Sequence, residues 1–317
     1  MRAAIVIPAF NEEEAIKVTV PVVFSVLENA VSMDLIESFE IVVVDDGSTD
    51  GTPNILESMK INYSNRPSKL TGTLRIIEMK GNQGHMKALE AGLLAFHGDC
   101  VITLDADMQD PPETIIQMLS LFKDGNFECI QAARSSRNSD SFFKKATADL
   151  YYRVIRSLTG IQVIPHAADY RLISRDQAKM IANLSENKKV FRLLIPFFKL
   201  KTKVVYIERQ QRISGKSKYT LTKMIKLAAD SVIGFSVKPL RTILTLALLS
   251  TLVFLVAFAY VLLTWASGKT LPGWTSILLV MLFGNMNLLI AIAAVGEYIG
   301  RIYFQLLARP SVLFHEK

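Results

Sequence analysis

Two carboxylates, Asp105 and Asp107, stand at i and i+2 directly behind the apolar run Cys100-Val101-Ile102-Thr103-Leu104. The run is short, partly β-branched and preceded by the turn signal Gly98-Asp99, so it reads as a buried strand. Open α/β sheets bind ligands beyond the carboxyl ends of their strands, which is where this pair falls. Acceptor-only oxygens suit a hard divalent cation, and such a cation is commonly shared with a ligand's phosphates. The spacing therefore points to metal-assisted chemistry on a phosphate-bearing substrate. The competing reading is a solvated acidic turn, and a lone Asp-x-Asp would favour it.

A second acidic corner weighs against that alternative. Asp45-Asp46-Gly47-Ser48 closes the apolar run Ile41–Val44 in the same way. In a parallel sheet two such strand ends share a rim, so four carboxylates distant in sequence converge on one crevice. Asp46, Ser48, Asp50, Gly51 and Glu57 imitate the spacing of a calcium loop. The element before them is a β-branched strand and not a helix, and Pro53 interrupts the loop, so that reading is set aside. The glycine patterns of dinucleotide folds and P-loops are absent, as is the GxSxG elbow. So are CxxC and HExxH. His85, His97, His166 and His315 are scattered and read as structural. Cys100 and Cys129 lie in apolar runs and read as packed free thiols of a reducing compartment.

The elements that must position these residues alternate along the first two hundred positions. Ala3–Ile7 reads as a strand, Glu12–Leu27 as a helix capped by Asn11 and weakened at Pro21, and Ile41–Val44 and Leu74–Glu78 as strands. Tyr63–Thr73 reads as a loop. Lys87–Phe96 is a helix, the Cys100 strand follows, Pro111-Pro112 opens a helix to about Phe122, and Glu128–Ala133 is a further strand. A helix over Ser141–Leu158, a capping box from Ser174 and Gln177, and a late strand at Val204–Ile207 complete the series. Such alternation predicts an α/β fold, a mostly parallel sheet with helices on both faces.

The chain has 317 residues, half of them hydrophobic (50%), and a mean hydropathy of +0.29. Two late stretches carry the excess. No charged residue occurs between Arg241 and Lys269, or between Lys269 and Glu297. Each stretch matches the ~20 apolar residues that span a bilayer core. Thr242–Trp265 and Thr275–Tyr298 are read as transmembrane helices joined by a short polar turn. Basic residues flank the hairpin (Lys216, Lys218, Lys223, Lys226, Lys238 and Arg241 before it, Arg301, Arg309 and Lys317 after it), and only Lys269 lies in the turn. Both termini and the large domain are therefore expected on the cytoplasmic side of the inner membrane. The expected layout is a catalytic domain over 1–215, an amphipathic juxtamembrane region over 216–241, the hairpin over 242–298 and a tail over 299–317.

Net charge is +7, yet its distribution argues against nucleic acid. Lys188, Lys189, Arg192, Lys199, Lys201, Lys203, Arg209, Arg212, Lys216 and Lys218 form a belt ahead of the hairpin. Contact with anionic membrane lipids, worth about 1 kcal/mol per residue near the surface, is the simpler reading. No aromatic-interleaved RNA motif is present. Asn285 and Asn287, in the middle of the second span, read as helix–helix hydrogen bonds.

Four segments occur in a telling order: Pro8-Ala9-Phe10-Asn11-Glu12-Glu13, Asp45 to Asp50, Gly81-Asn82-Gln83-Gly84, and Asp105-Ala106-Asp107-Met108-Gln109-Asp110-Pro111-Pro112-Glu113. They resemble the inverting GT-A glycosyltransferases of family 2. Arg134, Asp169-Tyr170-Arg171-Leu172, and Gln211 to Tyr219 narrow the resemblance to polyisoprenyl-phosphate glycosyltransferases. Among these the bacterial bactoprenol glucosyltransferases are the more similar, and the dolichyl-phosphate mannose synthases less so. The resemblance covers nearly the whole chain.

It implies a hexose, by default glucose from UDP-glucose, passed from a nucleotide sugar to polyisoprenyl phosphate. It implies that Pro8, Ala9, Phe10, Asn11, Glu12, Asp45, Asp46, Ser48, Gly84, Lys87, Asp105 and Ala106 hold the nucleotide sugar. Asp105, Asp107 and Gln109 would bind Mg2+ or Mn2+, and Asp169 would lie at the reacting centre. Arg134, Lys145, Arg212, Ser217 and Lys218 would meet the lipid phosphate. Phe10 stands where many relatives carry Tyr, which keeps a stacking face and removes a hydroxyl. A two-helix membrane segment buries little alone, which points to a homo-oligomer of unspecified order. Two rival readings remain open: a processive polysaccharide synthase, although Gln210-Gln211-Arg212 lacks the tryptophan of QxxRW, and a catalytically silent nucleotide-sugar scaffold.

Overall fold

The computed structural model describes residues 1–65, 72–135, 153–184, 186, 189–208, 232–236, 238–267, 273–307 and 312–316. The apolar N-terminal run forms β1 (Arg2–Ala9), and the alternation then proceeds through α1 (Glu13–Ser32), β2 (Ser38–Asp45), α2 (Thr52–Ser64), β3 (Gly72–Met79), α3 (His85–Ala95), β4 (Cys100–Thr103), α4 (Thr114–Lys123) and β5 (Cys129–Arg134). It continues with β6 (Ala167–Ser174), α5 (Arg175–Ala182), α6 (Phe191–Phe197) and β7 (Thr202–Ile207). The long helices α7 (Lys238–Ala266) and α8 (Trp274–Leu306) follow, and then the short strand β8 (Phe314–Glu316). One unit comprises Met1–Arg156, Ile161–Met224 and Pro310–Lys317; the other comprises Ser157–Gly160 and Ile225–Arg309.

In the first unit eight strands form one sheet in the order β7-β5-β6-β4-β1-β2-β3-β8. Neighbours β4-β1, β1-β2, β2-β3 and β5-β7 run parallel, whereas β6 is antiparallel to β4 and β5, and β8 to β3. The sheet is thus mostly parallel but mixed. β1 and β2 are buried along their length because both faces are covered. Ile5 and Ile7 join the cluster that includes Ile16, Val20 and Phe24 of α1. On the other face α3 lies so close that a Cβ on Gly92 would sit 2.3 Å from Val6 Cγ1.

Several local expectations are corrected. Pro21 does not split α1, which runs five residues beyond Leu27 to Ser32. Asn11 does not cap it; Glu12 holds the N-cap position, and Asn11 adopts a left-handed φ of 54° that frees its side chain for the neighbouring loop. Ser174 precedes α5 without a side-chain cap bond, and Gln177 turns to Glu128 instead (2.9 Å). Tyr63 and Ser64 end α2, and Gly72 and Thr73 begin β3, which shortens the expected loop from both ends. Pro53 sits in the first turn of α2, where its missing N–H costs nothing. Both cysteines are buried free thiols, and burial pushes each up to about 12. Of the expected helix 141–158 and the amphipathic juxtamembrane region 216–241, only 153–158, 232–236 and 238–241 fall within the described residues, and all of these but 236 are helical.

In the second unit both apolar stretches are helical and longer than expected. α7 has 29 residues and α8 has 33, or about 44 and 50 Å at the rise of an α-helix. Within α8, Phe283–Tyr303 is long and apolar enough to cross a membrane and is not buried. α1 meets the same measure of length and composition but packs into the core of the first unit. α7 packs against α8, and the Tyr298 hydroxyl donates to the Ser236 carbonyl at 2.9 Å. Asn287 donates to the Phe283 carbonyl of its own helix (3.0 Å).

Candidate active site

The register of the sheet decides where the acidic corners go. Ala9 of β1 pairs with Asp45 of β2, and Val6 pairs with Thr103 of β4. Leu104 N–H extends that ladder to the Val6 carbonyl (3.0 Å). Asp45-Asp46 and Asp105-Ala106-Asp107 therefore leave the same rim on either side of β1. β6 runs the opposite way, so its first residues reach that rim as well. The Thr103 hydroxyl donates to the Asp169 carbonyl (2.7 Å) and ties Asp169 beside the Asp105 loop. Arg134 ends β5 on the same edge.

Each corner is held by its own chain. The Asp46 carboxylate, 2% exposed, accepts the backbone N–H of Gln83 at 2.7 Å and of Gly84 at 2.8 Å. Burial pushes Asp46 above the ordinary carboxylate range, aided by neighbouring Asp45 and opposed by those two N–H groups and His85. Asp45 accepts Ser48 N–H at 3.0 Å, Ser48 Oγ accepts Asn11 N–H at 2.9 Å, and Asn11 Oδ1 accepts Thr49 N–H at 2.8 Å. The segments after β1 and β2 are thereby fastened into one wall that includes Pro8, Ala9, Phe10, Asn11 and Glu12. Gly47, at φ 70°, lets that wall touch the next loop: a Cβ there would lie 2.5 Å from the Gly81 carbonyl carbon.

The Asp105–Asp110 loop is anchored from two sides. Thr19 of α1 donates to the Ala106 carbonyl (2.7 Å), and the Tyr170 hydroxyl to the Pro111 carbonyl (3.3 Å). Met108 takes a left-handed φ of 54°, a strained turn of the kind that functional sites retain. Asp107 Oδ1 accepts Gln109 N–H at 3.2 Å, while the Gln109 Oε1 is buried and accepts no hydrogen bond from the described residues. Asp105 and Asp107 are partly exposed. Two carboxylates and one unsatisfied amide oxygen are a fitting but open donor set for an oxygen-seeking cation. Among the described residues no group of three His, Cys, Asp or Glu side chains closes a cage. Mg2+ in particular keeps waters and takes substrate phosphates where the protein gives few ligands.

Asp169 sits in a strongly cationic setting. Arg171 Nη2 lies 2.5 Å from Oδ1, and Arg192 Nη2 lies 3.8 Å from Oδ2. Burial by itself would raise this carboxyl, but Arg171, then Arg192 and His85, outweigh it and hold Asp169 at about 2. Buried Gln131 fixes the approach, its amide donating to the carbonyls on both sides of Asp169 (Ala168 at 2.7 Å, Tyr170 at 3.2 Å) beside a register shift between β5 and β6. Such irregularities re-aim side chains next to active sites.

Four residues of this site were not assigned from sequence. His85, read as structural, opens α3 with Nε2 3.6 Å from Asp105 Oδ1. Gln83 binds Asp46 through its backbone, which no side-chain pattern reveals. Arg171 lay within a quoted motif without a role. Arg192 was placed in the lipid-facing belt and instead turns to Asp169. Lys189 of that belt is also buried, paired with Glu90 and donating to the Ala182 carbonyl at 2.6 Å. Lys199, Lys201 and Lys203 are exposed. Lys87 lies half-buried in the first turn of α3, after Gly84. Lys145, Arg212, Ser217 and Lys218 lie outside the described residues.

Comparison with known proteins gives this rim a lineage. An uncharacterized glycosyltransferase of Bacillus subtilis, YkoT, is 36% identical over 96% of this chain and 89% of its own. The bactoprenol glucosyl transferase of Shigella phage SfX is 31% identical over 100% of both chains. A structure of glucosyl-3-phosphoglycerate synthase from Mycobacterium tuberculosis, solved with Mn2+, UDP-glucose and phosphoglyceric acid, superposes with a TM-score of 0.49 at 16% identity, over 73% of this chain and 77% of that one. Residues 4–180, which carry every strand of the rim from β1 to β6, match Glycosyl transferase family 2. With a family match over more than half its length and relatives above 30% identity across nearly all of it, the chain belongs to glycosyl transferase family 2 and is a glycosyltransferase.

Proposed function

We propose that the protein transfers a hexose, with inversion, from a nucleotide sugar to a polyisoprenyl phosphate at the inner membrane. The observation that carries this reading is the meeting of Asp45-Asp46, Asp105-Asp107 and Asp169 on one rim, in a chain whose full-length relatives include bactoprenol glucosyl transferases. UDP-glucose is the proposed donor and undecaprenyl phosphate the proposed acceptor. The wall Pro8–Glu12 with Asp45, Asp46 and Ser48 would cradle the nucleoside, Phe10 offering a stacking face. Gly84 and Lys87, at the start of α3, would face the diphosphate, where a helix N-terminus favours anions. Arg134, Lys145, Arg212, Ser217 and Lys218 would bind the acceptor phosphate.

The acceptor phosphate is already anionic near neutral pH, since a phosphate monoester has a second pKa of about 6. One of its oxygens bonds to the anomeric carbon as the bond from that carbon to the nucleoside diphosphate breaks. The electron pair leaves with the diphosphate, and no proton need be removed. Asp105, Asp107 and Gln109 would hold Mg2+ or Mn2+, which supplies charge neutralisation for the leaving diphosphate. Asp169, pinned by Arg171 and held at about 2, is a poor proton acceptor and a good fixed anchor. Its role is positioning. α7 and α8 would form a two-pass hairpin with both flanks cytoplasmic, which keeps the active site on the side where nucleotide sugars occur and near a lipid that cannot leave the bilayer.

Membranes containing the protein, incubated with labelled nucleotide sugars and polyprenyl phosphate, test the reading. A labelled monosaccharide lipid is expected, with UDP-glucose the best donor of a panel. Labelled polymer would favour a processive synthase, and no product a silent scaffold.

A further inference from the structure

The segment after α8 belongs to the first unit and joins its sheet. β8 pairs with the edge strand β3 through Ile77 with Glu316, Glu78 with His315, and Met79 with Phe314. Arg75 clamps it with a two-pronged contact to Glu316 (2.6 and 2.8 Å) while its Nη1 also holds the fully buried Glu40 (2.9 Å). His315 adds a contact to Glu78 at 3.1 Å. Of its apolar side chains, Val312 is buried and Leu313 is 53% exposed. Fastening the edge of the sheet is one role for the contact.

Its position offers a second. The Leu313 carbonyl accepts two hydrogen bonds, from Lys80 N–H at 3.2 Å and from the Gln83 side-chain amide at 3.1 Å. Gln83 is the residue whose backbone N–H, with that of Gly84, fixes the Asp46 carboxylate. The loop between has left-handed glycines at Gly81 (φ 75°) and Gly84 (φ 99°), whose conformational freedom leaves it under-determined by its own sequence. Its outer side rests on Leu313 and its inner side on Asp46.

We propose that residues 312–316 are a positioning element of the donor site, acting through Gln83 on the loop that binds the Asp46 carboxylate and opens α3. This rests on the donor site being where the proposed function puts it. The geometry ties the segment to the donor wall through Gln83. Misplacing such a loop by about 1 Å is enough to cost up to a hundredfold in rate.

The test is steady-state transfer by the full-length chain, the Gln83→Ala variant, a variant lacking 312–317, and the two combined, with donor and acceptor varied separately. Deletion is expected to raise the donor KM roughly tenfold and leave the acceptor KM within about twofold. Gln83→Ala is expected to move the donor KM in the same direction, Gln83→Glu to fail to restore it because a carboxylate has no N–H for Leu313, and Gln83→Ala to add nothing in the deleted background. Unchanged donor KM in both single variants, or fully additive effects, overturns the proposal. If the deletion does not fold, Gln83→Ala alone decides, by its donor KM and an unshifted melting temperature. Absence of transfer by the unaltered chain would instead refute the function on which the inference rests.

Discussion

Thr103 donates its hydroxyl to the backbone carbonyl of Asp169, 66 residues away, at 2.7 Å. That bond joins the last residue of β4 to the start of an antiparallel strand, so the Asp105 loop and Asp169 share one edge although the chain reaches them from opposite directions. Without β6 running backwards, Asp169 would lie at the far end of the sheet.

Asp107→Ala should remove metal-dependent transfer, lowering kcat/KM roughly a hundredfold or more. The substitution deletes one of two partly exposed carboxylates and leaves its loop anchored by Thr19 and Tyr170. Initial rates against Mn2+ and Mg2+ concentration measure this; near-normal turnover with an unchanged metal dependence would refute the role.

Asp169 is held at about 2 against an ordinary 3.8. A depressed carboxyl adds stability that is complete above the unfolded value and fades as pH falls from 3.8 towards 2, here on the order of 2 kcal/mol. Asp169→Asn should therefore lower the melting temperature at neutral pH, and its deficit should shrink below about pH 4. Thermal melts of both forms across that range test the sign. A deficit that grows on acidification would contradict it.

Gly47→Ala should destabilise the fold by about 2 kcal/mol or more, because the new methyl meets backbone atoms of Gly81 at 2.5 and 2.6 Å in a left-handed conformation. A drop in melting temperature together with weaker nucleotide-sugar binding is expected. Loss of stability with donor affinity intact would uncouple this contact from the site.

Lys218→Ala should weaken use of the lipid acceptor more than binding of the nucleotide sugar. Separate KM values for the two substrates decide it, and the reverse ordering rejects the assignment.

Much of the first unit was legible because its central strands are short apolar runs ending in carboxylates. Ile41–Val44 and Cys100–Leu104 can be buried only as strands covered on both faces, and their acidic ends then fall on one rim. α2 was hidden because its first turn resembles a calcium loop and few of its side chains are buried. β6 was hidden inside a motif, and β8 because three residues carry too little pattern to read.

Residue types and spacing by themselves determined the α/β alternation, the paired carboxylates and the two uncharged late stretches. Those features are local, written in periodicity and composition within a few positions. The tertiary structure alone decided that Arg171 and Arg192 grip Asp169, that Lys189 is buried against Glu90, that His85 stands beside Asp105, and that the segment after α8 reaches the loop around Asp46. Each of these joins residues through backbone atoms, antiparallel reversal or distant strand order, and a sequence carries no local mark of partners that meet only when the sheet closes.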